Sequence, residues 1–151
     1  MSPRRSYQKE ADVKAEVKKI LNAHGWYWWM PPANGFGKSN VDFNALRGGV
    51  FLAIETKFGK NKSTPLQLAF LSSIAAESGF GFVVRETTID AFRTWMEAFD
   101  RSAARMMEAG GQVASEDGAA MLNAIAALTT ELVFAKPQKI VAESKESDAV
   151  P

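Results

Sequence analysis

Apolar residues recur at helical spacing from about Ser6 to His24, where Val13, Val17, Ile20 and Leu21 share one face and Gly25 follows as a stop. The bulky run Trp26-Tyr27-Trp28-Trp29-Met30 favours a strand and is closed by Pro31-Pro32. Ala33 to Asn40, with two glycines and two asparagines, reads as a loop. Val41 to Leu46 and Val50 to Lys57 read as strands, and Arg47-Gly48-Gly49 between them predicts a hairpin. Phe58 to Lys62 is a basic loop. Ser63-Thr64-Pro65 supplies a hydroxyl cap and a first-turn proline for a helix reaching about Ser78, ended by Gly79. Phe80 to Arg85 is a short apolar strand. Thr87 or Thr88 caps a helix carrying Ile89, Phe92, Trp95, Met96 and Phe99, which Gly110-Gly111 breaks. Ser115-Glu116-Asp117 opens a last helix extending to about Phe134, and from Lys136 the chain turns polar. The order of elements predicts an α/β core with a helical C-terminal addition.

A chain of 151 residues that is 46% hydrophobic can fill one core, which excludes a wholly disordered chain. No window approaches about 18 uninterrupted apolar residues, so no membrane span is expected. Met1-Ser2-Pro3-Arg4-Arg5 is basic but leads into no apolar stretch, so no secretory signal is expected and the cytoplasm is the default. The absence of cysteine excludes disulfides, thiolate catalysis and cysteine metal sites. The single histidine, His24, excludes multi-histidine zinc sites and argues against Ser-His-Asp chemistry; its expected place is the end of the first helix. Charge is unevenly spread. Residues 1–62 hold 11 Lys/Arg against 5 Asp/Glu, a net of +6, whereas residues 63–151 hold 7 against 12, a net of −5. The first part can meet a polyanion; the second would face away from it.

Three acids stand where acids are costly. Glu10 lies within about 80° of Val13, Val17, Ile20 and Leu21 on a helical projection, on the apolar stripe, while Glu16 points about 120° away and reads as a surface acid. Asp42 begins a strand beside Val41 and Phe43. Glu55 and Lys57 project on the same side of the next strand, because strand side chains alternate. A hairpin at Gly48-Gly49 can bring Asp42 near Glu55. Two carboxylates and the Thr56 carbonyl make an oxygen site suited to Mg²⁺ or Mn²⁺. A neighbouring lysine can orient a water and stabilise charge developing on phosphorus, which suits phosphodiester hydrolysis.

Asp42, a twelve-residue spacer and Glu55-Thr56-Lys57 resemble the PD-(D/E)XK nuclease superfamily. Glu10 is similar to the helical acid found upstream in many members, and Gln67 to the glutamine that often opens the next helix. Within that superfamily the arrangement over residues 7–86 most resembles the stand-alone VRR-NUC nucleases of phages and bacteria. Val41 stands where members have proline before the acid, and Ser39-Asn40 where many have glycine; neither removes a ligand. The resemblance implies a restriction-endonuclease-like αβββαβ core over residues 1–86. It does not extend to residues 87–135, which read from their own pattern as a helical extension packing on the core or forming a dimer interface, or to the polar residues 136–151, which read as a flexible tail. It implies a Mg²⁺-dependent endonuclease acting on branched DNA such as Holliday junctions or flaps and leaving a 5′-phosphate. The catalytic set would be Glu10, Asp42, Glu55, Lys57 and Gln67, and the metal would sit on Glu10, Asp42, Glu55 and Thr56, with Mn²⁺ able to substitute. A homodimer would set two sites on two strands. If the chain is viral, the compartment is the host cytoplasm.

Arg4, Arg5, Lys38, Ser39, Asn40, Arg47, Lys60 and Lys62 are the candidate DNA contacts, several of them in the loops flanking the proposed site. The tryptophan run reads as core or interface packing in preference to base stacking. Two other classes remain open: a non-catalytic nucleic-acid-binding module with a nuclease-like fold, and a sequence-specific restriction-type endonuclease.

Overall fold

The computed structural model describes residues 6–32, 41–109 and 115–134. The expected loop at 33–40, the Gly110-Gly111 break, the tail at 136–151 and the candidates Arg4, Arg5, Lys38, Ser39 and Asn40 lie outside the described residues.

The architecture is mixed α/β. Helix α1 (Glu10–Ala23) leads into β1 (Tyr27–Trp29), β2 (Phe43–Arg47) and β3 (Val50–Thr56). Then follow α2 (Pro65–Ala76), β4 (Phe80–Val84), α3 (Ile89–Ala109), α4 (Ser115–Leu128) and α5 (Thr130–Phe134). The four strands form one sheet in the order β1-β2-β3-β4. β1, β2 and β3 pair antiparallel, and β4 joins β3 in parallel after the α2 crossover.

Each element follows from local chemistry, and two differences from the sequence reading go beyond a residue or two at an element's end. Helix α1 starts at Glu10 and not near Ser6, because the Asp12 carboxylate accepts from the Gln8 and Lys9 N–H groups and stops the helix growing backwards. It ends where Trp26 N donates to Leu21 O and Gly25 N to Asn22 O, the paired bonds of a glycine-terminated helix. The expected last helix is two helices. Thr129 and Thr130 turn their hydroxyls back onto the carbonyls of Ile125, Ala126 and Ala127, and the chain bends at Thr129.

The sheet separates two apolar layers. On one face, Val13, Val17, Ile20 and Leu21 of α1 join Phe43, Leu52, Ile54 and Phe82 of the sheet and Phe92, Trp95, Met96 and Leu128 of α3 and α4. On the other, Ala53 and Val83 meet Leu71 of α2, with Leu132 of α5 beside them. The apolar stripe of α3 is therefore covered within the same chain, by the sheet and α4. The tryptophan run splits by strand alternation: Trp26 and Trp28 turn to the first layer, Tyr27 and Trp29 to the second side, where both are exposed.

The second layer is thin at one place. A Cβ on Gly81 would lie 2.5 Å from the Leu71 carbonyl oxygen and 2.9 Å from the Leu71 Cβ, so only glycine lets α2 come this close to β4. Gly81→Ala is expected to lower unfolding free energy by about 1–3 kcal/mol, because the obstructing atoms include helix backbone that cannot rotate away. Urea denaturation measures it, and an unchanged midpoint would show that α2 can move outward freely.

Candidate functional site

The carboxyl ends of the parallel pair β3–β4 form one end of the sheet, and open α/β sheets bind ligands at such ends. The starts of α1 and α2 come to the same end. The register Phe43↔Ile54, carried one step further, sets Asp42 opposite Glu55. Asp42 does not extend the ladder through its backbone. Its Oδ2 accepts from the Thr56 N–H at 2.9 Å and from the Thr56 hydroxyl at 2.6 Å, so the carboxylate ends the β2–β3 pairing and is fixed by it.

Glu55 points from the face of β3 that α2 covers and is only 2% exposed. Its Oε1 takes two donors, the Lys57 ammonium at 2.9 Å and the Gln67 amide at 2.7 Å. Gln67 is fixed at its other end: its Oε1 accepts from Thr64 N, and its own N–H donates to the Thr64 hydroxyl, a reciprocal cap on α2. With the amide oxygen used by the cap, the amide NH₂ has to face Glu55. The remaining oxygen, Glu55 Oε2, is buried without a hydrogen-bond partner.

Glu10 and Asp42 are joined by a residue absent from the sequence candidates. Lys14, one turn after Glu10, places its Nζ 3.4 Å from Glu10 Oε2 and 3.2 Å from Asp42 Oδ1. Its only sequence signal is the i,i+4 spacing from Glu10. Burial alone would lower the Lys14 pKa, but the Asp42 and Glu10 carboxylates outweigh it and raise it. The structure thus gathers Glu10, Lys14, Asp42, Glu55, Thr56, Lys57 and Gln67 at one end of the sheet. Among the described residues, no three His, Asp or Glu side chains converge as a ready metal cage.

Burial pushes the Glu55 carboxyl up, the Asp42 charge pushes it further, and Lys57 offsets only part of this, leaving it at about 7. A raised acid holds its proton in the folded chain after the unfolded chain has released it. This group's contribution to stability is therefore full below the unfolded value of 4.5 and is lost as pH rises through about 7. In EDTA, the wild-type protein is expected to lose more stability between pH 5 and pH 7.5 than Glu55→Gln. Urea midpoints at the two pH values check this, and parallel losses would mean that Glu55 ionises normally.

The candidate DNA contacts divide. Lys60 and Lys62 are exposed in the loop between β3 and α2, beside the site. That loop is pinned on both sides of them: Gly59 N donates to Glu86, Arg85 donates to the Gly59 carbonyl, and Ser63 N donates to Glu131. Arg85 also donates to Glu131, which ties α5 to the same corner. Arg47 is not at the site. It closes the opposite end of the β2–β3 hairpin, ion-paired to Asp100 and set over the Phe99 ring. Asp100 also takes His24 Nδ1 at 2.5 Å, so His24 ends α1 as expected, in a clamp joining α1, the hairpin and α3. Glu16 corrects the sequence reading: it is buried and accepts from Arg93, because α3 lies along the flank of α1 that a single apolar stripe leaves to solvent.

Hard oxygen donors around a buried, half-satisfied carboxylate suit a hard divalent cation, and the vacant Oε2 is the atom such a cation would satisfy. No protein-family model matches the chain, and no curated protein matches it. No helix among the described residues is long and apolar enough to cross a membrane.

Proposed function

We propose that the protein is a metal-dependent DNA endonuclease of the PD-(D/E)XK type, related to the VRR-NUC nucleases and acting on branched DNA. One observation carries the reading: Glu55 is buried, held at one oxygen by Lys57 and Gln67, and free at the other, with Asp42 opposite it across the hairpin. A buried acceptor without a partner costs about 1–3 kcal/mol, and a site that binds a cation recovers that cost when filled. The order α1-β1-β2-β3-α2-β4, with β3 parallel to β4, supports the reading as well.

Glu10, Asp42, Glu55 and the Thr56 carbonyl are the groups that would hold Mg²⁺ or Mn²⁺. Such a cation supplies Lewis-acid charge to the phosphate and a more acidic water. Thr56 holds Asp42 by two hydrogen bonds, so that carboxylate need not reorganise. Gln67 fixes the Glu55 rotamer through its cap to α2. Lys57 presents an ammonium that orients the attacking water and stabilises charge developing on the phosphoryl oxygens. Lys60 and Lys62 offer phosphate contacts from the pinned loop. A homodimer would present two such sites to a symmetric junction.

One observation favours the non-catalytic binding module: Lys14 already bridges Glu10 and Asp42 and offsets one of their two negative charges. End-labelled four-way junction, flap, splayed, single-stranded and linear duplex DNA, each with Mg²⁺, Mn²⁺ or EDTA, separates the two. Cutting of a branched substrate that EDTA abolishes is the expected result. Binding without cutting on every substrate overturns the enzyme in favour of the module, and cutting of linear duplex at one sequence favours a restriction-type enzyme.

A further inference from the structure

The hydrolysis proposed above gives Lys14 no task, yet Lys14 holds the most contested position in the site. Asp42 Oδ2 is committed to Thr56 twice over, at 2.9 Å to the N–H and 2.6 Å to the hydroxyl. Oδ1 is the oxygen left to face an incoming cation, and the Lys14 ammonium stands 3.2 Å from it. The same ammonium is 3.4 Å from Glu10 Oε2, so it spans the space between the two acids. The Glu55 side, by contrast, keeps an unpartnered buried oxygen.

We infer that Lys14 is an internal competitor for the cation: its ammonium occupies the ground between Glu10 and Asp42 that a divalent metal would take, and metal binding requires it to leave. The inference rests on the metal-dependent reading of the site. Two cations cannot share one pair of carboxylates at this range without strong repulsion. The Lys14 side chain is 29% exposed and long enough to swing into solvent, so leaving does not require the helix to move. Once displaced, it is a mobile positive charge at the rim of the site, and a DNA phosphate is its natural new partner.

A consequence follows for order of binding. With Glu55 ionised, the three acids and two lysines sum to −1, and without Lys14 the site would carry −2. The free protein therefore holds Mn²⁺ weakly, and DNA strengthens that binding by taking Lys14 away from Asp42. By linkage, Mn²⁺ strengthens DNA binding by the same factor. The full chain is thereby kept from filling its site before a substrate is present.

Calorimetric titration of the full chain with Mn²⁺, without DNA, tests this directly. Lys14→Met is expected to bind Mn²⁺ at least about tenfold more tightly than wild type, Lys14→Gln to do the same, and Lys14→Arg to remain weak. Thermal melts establish that each variant is folded, and Lys14→Gln stands in should Lys14→Met not fold. Equal or weaker Mn²⁺ binding by the folded Lys14→Met or Lys14→Gln protein overturns the inference. Asp42→Asn separates the two levels. If it abolishes Mn²⁺ binding while Lys14→Met equals wild type, the metal site stands and only the role of Lys14 falls. If Mn²⁺ binding is absent from both wild type and Lys14→Met, or is indifferent to Asp42→Asn, the metal reading and this inference fall together.

Discussion

Lys57→Ala is expected to slow the proposed Mg²⁺-dependent cleavage about 100- to 1,000-fold, the usual cost of losing one preorganised donor aimed at developing charge. The ammonium lies 2.9 Å from Glu55 Oε1, and its side chain is only 13% exposed, so bulk water cannot replace it well. The loss should fall on the chemical step. DNA binding in EDTA, read by fluorescence anisotropy, should change by less than about threefold, because Lys60 and Lys62 supply exposed charge nearby. Lys57→Arg should not restore activity, since a planar, forked guanidinium does not reproduce the compact point charge of an ammonium. Single-turnover rates on whichever branched substrate the wild type cuts decide the matter. A fall of less than about tenfold would remove Lys57 from the chemistry and leave it as the counter-charge of Glu55.

The largest effect on stability is expected from Trp95. The side chain is fully buried and is the hub of an aromatic cluster, with ring centroids 5.0 Å from Phe80, 5.1 Å from Phe82, 5.2 Å from Phe99 and 6.0 Å from Trp26. It joins α3 to the sheet and to the start of β1. Trp95→Ala should cost about 3–5 kcal/mol, a large share of the 5–15 kcal/mol that holds a typical domain together. Trp95→Phe should cost markedly less, about 1–2 kcal/mol, because it keeps a ring against Phe99 and removes an indole N–H that is buried without a partner. Urea denaturation of both variants gives the comparison, and similar losses would mean that the cluster is worth little beyond its volume.

Trp95 also illustrates what a single chain reveals. Its place on the apolar stripe of a helix was legible from spacing alone; what the stripe would pack against was not, because periodicity marks a buried face without naming its partner. The strands and the hairpin were legible for a stronger reason, since Gly48-Gly49 sets the register and the register alone puts Asp42 opposite Glu55. Alternation likewise put Glu55 and Lys57 together. The errors have specific physical sources. Helix α1 lost its first residues to the Asp12 carboxylate, a cap inside the helix. The split of the last helix rests on two threonine hydroxyls that competed with the backbone. Glu16 is buried against the surface reading because a helix flanked by the sheet and by α3 buries more than one stripe. Charge alone marks Arg47 as a candidate DNA contact but not its place, and the hairpin carries it to the end away from the acids. Lys14 is not legible in the sequence because its place depends on Asp42, which lies 28 positions away and meets it only in the folded chain.

The close approach at Gly81 reaches further than stability. Gly81 pairs with Ala53, two residues before Glu55, and sits under Leu71, four residues after Gln67. The separation of α2 from the sheet is thus a spacer gauge for the 2.7 Å contact between Gln67 and Glu55. A side chain at position 81 would act as a shim, lifting the helix and opening that contact with every acid and lysine of the site still present. Loss-of-function screens of this protein should therefore recover position 81 among folded, site-intact variants, and because the Leu71 backbone is the obstruction, trimming the Leu71 side chain should not rescue them.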